Sequence, residues 1–227
     1  MKKGYFTKLE IGLLACSLTL ILASFLIFDR ENYFNMIASL IGALALIFCA
    51  KGNPFGQVLM IIFASLYVTI AWFIRYYSEV ITYLFMTLPM ATISLISWLK
   101  NPFEKGKMEV RVNVLSKKEF GFSFLLSAVV TVIFFFILRA FNTANLIVST
   151  ISIFTSFLAC YLTFRRSEFF ALAYAVNDIV LIVLWAIATI SSIEYLSVVI
   201  CFLVFLFNDL YTFISWRKIK NRQKKDK

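Results

Sequence analysis

Eight apolar stretches, near 10–28, 33–50, 56–74, 80–99, 120–138, 145–164, 169–190 and 195–215, occupy almost the whole chain. Each approaches the roughly 20 residues that a helix needs to cross a bilayer core. None alternates polar with apolar residues as a barrel strand would, and within lipid only helices and closed barrels satisfy every backbone polar group. The pattern predicts an all-α membrane protein with eight transmembrane helices. With 62% hydrophobic and 15% charged residues in 227, the loops are too short to hold a soluble domain. The first stretch lacks a small-residue cleavage pattern and leads into further spans, so it is expected to remain as a helix.

The second half of the chain repeats the first. Lys8-Leu9-Glu10-Ile11-Gly12 is echoed by Lys117-Lys118-Glu119-Phe120-Gly121, and Asn35-Met36-Ile37-Ala38-Ser39 by Asn145-Leu146-Ile147-Val148-Ser149. Trp72 answers Trp185, and Ile96-Ser97-Trp98 answers Ile214-Ser215-Trp216. The order is kept, with offsets of 109, 110, 113 and 118. Duplicated multi-helix membrane proteins commonly form sites where the repeats meet. Four spans per half start each half on the same side, so the repeats run parallel, each as one helix plus three. The expected organisation is a first membrane repeat at 1–101, a connection at 102–118, a second repeat at 119–216 and a basic tail at 217–227.

Charge sets the orientation. When the connections alternate between two sides, one side gathers the N-terminus, the turns near 51 and 165–168, the 100–119 connection and the C-terminus, with 19 of the 22 Lys and Arg. The other side holds Arg30, Arg75 and Arg139. The positive-inside rule then places both termini in the cytoplasm. The net charge of +10 is thereby explained by topology and contact with anionic lipid, not by nucleic acid. The chain has no histidine, which removes the commonest general base and metal ligand. Cys16, Cys49, Cys160 and Cys201 all lie in apolar runs and read as packing residues. No phosphate-cradling loop, nucleophile elbow or zinc spacing appears, so neither an enzyme nor a cofactor is expected.

The exceptions to apolarity point to function. Asn177-Asp178 lies midway along the seventh stretch, and Asn208-Asp209 lies inside the eighth. A carboxylate at a helix centre costs about 2.5–3.5 kcal/mol on insertion scales and usually faces a cavity or a partner. One reading is a polar binding cavity; the other is an interhelical hydrogen-bond clamp. Phe170, Tyr174 and Tyr211 lie near the Asn-Asp pairs on adjacent helical faces, and Trp185 lies two turns beyond Asn177. Flat rings beside amides suit a flat, polar ligand, whereas Trp98 and Trp216 fit an interfacial belt. The first half is less polar and offers Gln57, Tyr67, Thr87 and Pro89; Pro89 is expected to free a carbonyl and kink the fourth helix.

Three further motifs carry a family resemblance: Ala50-Lys51-Gly52 closing the second span, Ile96-Ser97-Trp98-Leu99-Lys100-Asn101 closing the fourth, and Asn208-Asp209-Leu210-Tyr211 leading to Trp216-Arg217-Lys218. Over nearly its whole length the chain resembles the PnuC family, the bacterial nicotinamide riboside transporters. Thr212 stands where that family usually has Gly. The family's Trp-x-x-Trp-x-x-x-Asn signature is met here by Phe170, Ala173 and Asn177, with Tyr174 beside Ala173. The resemblance implies a SWEET-like core of two three-helix bundles joined by a linker helix, homotrimers, a place in the bacterial inner membrane, and facilitated diffusion with trapping by a cytoplasmic kinase. It makes nicotinamide riboside the first candidate substrate. Asn177 and Asn208 would bond ribose or amide groups, Phe170, Tyr174 and Trp185 would stack on the ring, and Asp178 would favour a cationic pyridinium. Asp209, Tyr211 and Gln57 complete the candidate site. Relatives thought to carry deoxynucleosides, thiamine or riboflavin keep those substrates open, and a non-transporting scaffold is the reading from another class.

Overall fold

The structure is a computed structural model that describes residues 5–73 and 77–226, with Ser78 described by its backbone alone. Among the described residues, eight helical spans of 18 or more residues are apolar enough to cross a membrane. In chain order they are α1 (Lys8–Phe28), α2 (Tyr33–Ala50), α3 (Phe55–Phe73), a composite fourth span, α6 (Lys117–Ala140), α7 (Leu146–Phe164), α8 (Phe169–Thr189) and α9 (Leu196–Lys225). The fourth span joins α4 (Tyr77–Thr82) to α5 (Leu88–Lys100) through a π-helical turn at Tyr83–Thr87. Pro89 accounts for that turn. It has no N–H for the carbonyl four residues back, and the Leu88 N–H reaches Tyr83 O instead. Arg75, Lys2, Lys3 and Lys227 of the charge count lie outside the described residues.

Local rules repeat in the two halves. Thr7 caps α1 through Glu10 N, and Ser116 caps α6 through Glu119 N. The glutamate of each cap then pairs with the cation just past the following helix: Glu10 with Lys51 at 3.1 Å, and Glu119 with Arg165. Both turns after these second helices pass through the left-handed region, at Gly52 (φ 63°) and Arg166 (φ 57°). Gly52 meets this at little cost, whereas Arg166 bears strain. The Arg166 guanidinium bonds Ser97 Oγ at 2.7 Å and tethers the turn.

Packing follows the same symmetry. α2 lies on α3 and α7 on α8, α3 on the fourth span and α8 on α9, while across the halves α2 meets α9 and α7 meets α5. This is the arrangement of two co-oriented copies about an axis along the membrane normal. α1 also runs along α9. Gly56 permits the close approach of α3 to α2, since a Cβ there would fall 2.6 Å from Cys49 Sγ. Outward faces are apolar, with Phe34, Phe85, Leu125, Ile147 and Phe207 exposed, as a lipid-facing surface requires.

Trp98 and Trp216 are fully buried, so they are not belt residues. Their rings lie 5.3 Å apart, with Phe170 edge-on to both. Each half reaches into the other: Trp98 Nε1 donates to Thr163 O at 2.9 Å and Ser97 Oγ to Phe164 O at 2.8 Å, while Trp216 Nε1 donates to Cys49 O and Ser215 Oγ to Ala50 O, both at 2.8 Å. These are last-turn carbonyls with no partner inside their own helix. The 101–116 segment crosses the same face, with Val110 N bonding Gly52 O and Asn113 N bonding Arg166 O. α9 continues without a break through the basic residues, and buried Gln223 bonds both Val110 O and Val112 N.

Candidate functional site

Asn177 and Asp178 are consecutive on α8, and Asn208 and Asp209 are consecutive on α9. All four side chains are at most 5% exposed. Neighbouring residues on a helix point about 100° apart, so each pair divides between two neighbouring helices. Asn177 turns to α7, where its Oδ1 accepts from Thr155 Oγ1 at 2.7 Å and Ser156 Oγ at 3.0 Å. With the amide oxygen occupied, its NH2 group is the end available to a ligand. Asn208 turns to α1: its Nδ2 donates to Ser17 Oγ at 2.9 Å and to Val204 O at 2.8 Å. Asp178 and Asp209 turn to each other, and their carboxyl groups lie within hydrogen-bonding reach. Asp209 is therefore buried inside the helix bundle.

Three buried oxygens in this cluster, Asp178 Oδ2, Asp209 Oδ1 and Asn208 Oδ1, receive no hydrogen bond from a protein donor. Buried acceptors without donors are rare in proteins. Three of them on two touching helices mark a place completed by something else, such as a proton, water or a bound polar molecule. The buried thiols lie around it. Cys49 of α2 is within electrostatic reach of Asp209, and Cys201 of α9 is within that of Asp178.

The other sequence-predicted residues divide into two groups. Gln57 reaches the cluster, since its Nε2 lies 3.3 Å from Cys49 Sγ. Tyr174 does too: its hydroxyl lies 3.3 Å from Cys160 Sγ and within electrostatic reach of Asp209. Phe170 is packed among Trp98, Trp216 and Tyr174, and is 2% exposed. Trp185 packs on Tyr195 with ring centroids 5.4 Å apart, toward the far end of α8. Tyr211 donates to Glu10 Oε1 at 3.0 Å, inside the ion-pair cluster with Lys51. The contacts of Phe170, Trp185 and Tyr211 are thus with these groups, and Phe170 meets the cluster through Tyr174.

Sequence reasoning did not single out Thr155, Ser156, Ser17 or Ser39, because single hydroxyls in apolar helices carry little signal. It named Tyr67 but not the ring cluster in which that side chain lies. Tyr67 and Tyr83 stack at 5.0 Å with an interplanar angle of 20°, and Phe63 lies 4.7 Å from Tyr67. Buried Ser39 is within hydrogen-bonding reach of both the Tyr67 hydroxyl and the Cys201 thiol, and so links these rings to the Asp178 side. Tyr83 is the first residue of the π turn. Two crevices of about 410 and 380 Å³ open elsewhere, on the basic face. One is bordered by Lys117, Glu168 and Lys220, the other by Lys51, Glu109, Lys218 and Arg222. Glu168–Lys220 and Glu109–Arg222 ion pairs satisfy much of that charge.

Comparison with known proteins agrees with this frame. The sequence model of the family described as Nicotinamide mononucleotide transporter matches residues 32–218. The nicotinamide riboside transporter PnuC of Neisseria mucosa is 25% identical over 202 residues, covering 86% of this chain and 76% of that protein. The crystal structure of the vitamin B3 transporter PnuC shares the fold, with a TM-score of 0.82 at 22% identity, over 97% of this chain and 95% of that one. With eight duplicated spans, a buried polar cluster between helices and a family match across most of its length, this chain belongs to the nicotinamide mononucleotide transporter family, the PnuC membrane transporters.

Proposed function

We propose that this transporter carries a nucleoside-like vitamin precursor, nicotinamide riboside first among the candidates, by facilitated diffusion with alternating access between its two halves. The observation that carries this reading is the buried cluster of Asn177, Asp178, Asn208 and Asp209 with its three oxygens lacking donors. Asn177 is the central ligand contact. Its amide is held in one orientation by two hydroxyls, and a preorganised donor binds without the cost of ordering it. The basic face is cytoplasmic, by the positive-inside rule. The protein works in the bacterial inner membrane as a homotrimer, and a cytoplasmic kinase keeps substrate from leaving by phosphorylating it.

Uptake of labelled nicotinamide riboside into cells lacking their own route tests this. Asn177→Ala is expected to lower uptake about five- to tenfold at equal surface expression, the loss of one or two hydrogen bonds. Equal uptake by the variant would remove Asn177 from the path.

A second reading, a neutral deoxynucleoside or another vitamin as cargo, is favoured by one observation. At the positions matching the two signature tryptophans, Phe170 is packed into an aromatic core and Ala173 has no ring at all. Stacking must then come from Tyr174 or from the Tyr67–Tyr83 cluster. Competition by unlabelled deoxynucleosides, thiamine and riboflavin against labelled nicotinamide riboside separates the two readings.

A further inference from the structure

We propose that Asp178 and Asp209 act together as the charge-selecting element of the site: one proton held between the two carboxyls leaves a single negative charge, and that charge retains a monocationic aromatic ring in preference to its neutral isostere. The inference rests on the transport reading above and deepens it.

The geometry permits few alternatives. The two carboxyls face one another from α8 and α9, buried and within hydrogen-bonding reach. Among the described residues, the Lys and Arg side chains stand in turns, at helix ends or in the C-terminal part of α9 from Arg217 onward, and none is placed mid-span to neutralise the pair. With no proton, two carboxylates would repel each other at contact inside a low-dielectric core. With two protons, the pair would be neutral and indifferent to the charge of a ligand. One proton shared between the two carboxyls supplies a donor where no protein group serves Asp178 Oδ2 or Asp209 Oδ1. Asn208 Oδ1, also buried and without a donor, adds a neutral acceptor on the next residue. A ring carrying one positive charge gives an electroneutral complex, the form that crosses lipid at least cost.

Of the surrounding titratable groups, Glu79 of the fourth span lies within electrostatic reach of Tyr67 and Tyr83; those beside the carboxyl pair itself supply no competing charge at neutral pH. They are thiols and phenols: Cys49 from α2, Cys160 from α7, Tyr174 on α8 itself and Cys201 on α9. α1 presents Ser17, and its Glu10 is engaged by Lys51 and Tyr211. α3 adds Gln57 and, through Ser39, the Tyr67 ring. Electron-rich rings beside an anionic pair favour a cation further.

The test compares nicotinamide riboside, a pyridinium cation, with benzamide riboside, a neutral isostere, for binding to the detergent-purified full chain. The cation is expected to bind about tenfold tighter at pH 7.5. Acidification adds the second proton, so the ratio is expected to fall toward one as pH drops to 5. The double variant Asp178→Asn/Asp209→Asn, isosteric and without charge, is expected to show a ratio near one at every pH. Each single variant keeps one carboxylate, bonded by the new amide, and is expected to retain the preference at pH 7.5. A pH-independent ratio near one in the native protein overturns the charge-selecting role while leaving the transport reading intact. An undiminished ratio in the folded double variant overturns it equally. Failure of both ribosides to bind would instead overturn the substrate assignment. The native protein's pH series decides the matter if the double variant does not fold.

Discussion

At the scale of single residues, the polar groups of this chain sort by whether the protein completes their hydrogen bonds. Asn177 is held by Thr155 and Ser156, whereas Asp178, Asp209 and Asn208 each keep an oxygen without a donor. Asp29, outside the spans between α1 and α2, shows the structural cost of a buried carboxyl. Burial raises its pKa from the ordinary aspartate value, against the hydrogen bond from Asn32 that favours the ionised form. A raised folded-state pKa means stability that is present below the unfolded value and lost as pH rises through the folded one. Asp29→Asn is therefore expected to raise the melting temperature in detergent at pH 7.5 and to leave it unchanged near pH 3, where both forms are neutral. A variant that melts lower at pH 7.5 would show that the Asn32 bond outweighs burial.

Between helices, the dominant device is the reciprocal clamp on the basic face. Ser97-Trp98 satisfies the last carbonyls of α7, and Ser215-Trp216 those of α2. Each clamp joins one half to the other, so an excursion that parts the halves on this face must break both. Trp98→Phe and Trp216→Phe each remove one buried hydrogen bond between the halves, at about 0.5–1.5 kcal/mol apiece, while Thr163 O and Cys49 O keep the N–H groups of Arg166 and Gly52. Similar drops in thermal stability are expected for the two variants because the bonds are equivalent by the repeat. A large effect from one and none from the other would mean that the symmetry of contacts is not a symmetry of energies. The π turn at Tyr83–Thr87 is a second device at this scale. Pro89 accounts for it, and Tyr83, its first residue, stacks on Tyr67.

For the molecule as a whole, the duplication is visible in caps, ion pairs, turns and cross-half contacts, yet the chemistry is lopsided. The carboxyl pair belongs to the second half, while the stacked tyrosines and Gln57 come from the first. The halves are joined by more than their connection: α2 packs on α9 and α5 on α7. A chain cut in the exposed loop at Gly106, with its two pieces co-expressed, is expected to assemble and co-purify from one tagged piece. Recovery of the tagged piece alone would show that the covalent connection, and not the interhelical contacts, holds the halves together.

Eight apolar runs, the repeat and the charge bias were legible without coordinates, because lipid imposes length and composition on every span and because duplicated motifs keep their order. The Asn-Asp pairs were legible too, since a carboxyl among apolar neighbours is conspicuous by its cost. Where each side chain points was not. Phe170, Trp185 and Tyr211 share helical faces with those pairs in the sequence pattern, but the fold engages them with Trp98 and Trp216, with Tyr195 and with Glu10. Sequence fixes periodicity along one helix. Which neighbour a given face meets depends on the crossing of helices far apart in the chain, and only tertiary packing sets that. The meeting of Asp178 with Asp209, and of Tyr67 with Tyr83 across the π turn, was decided at that level.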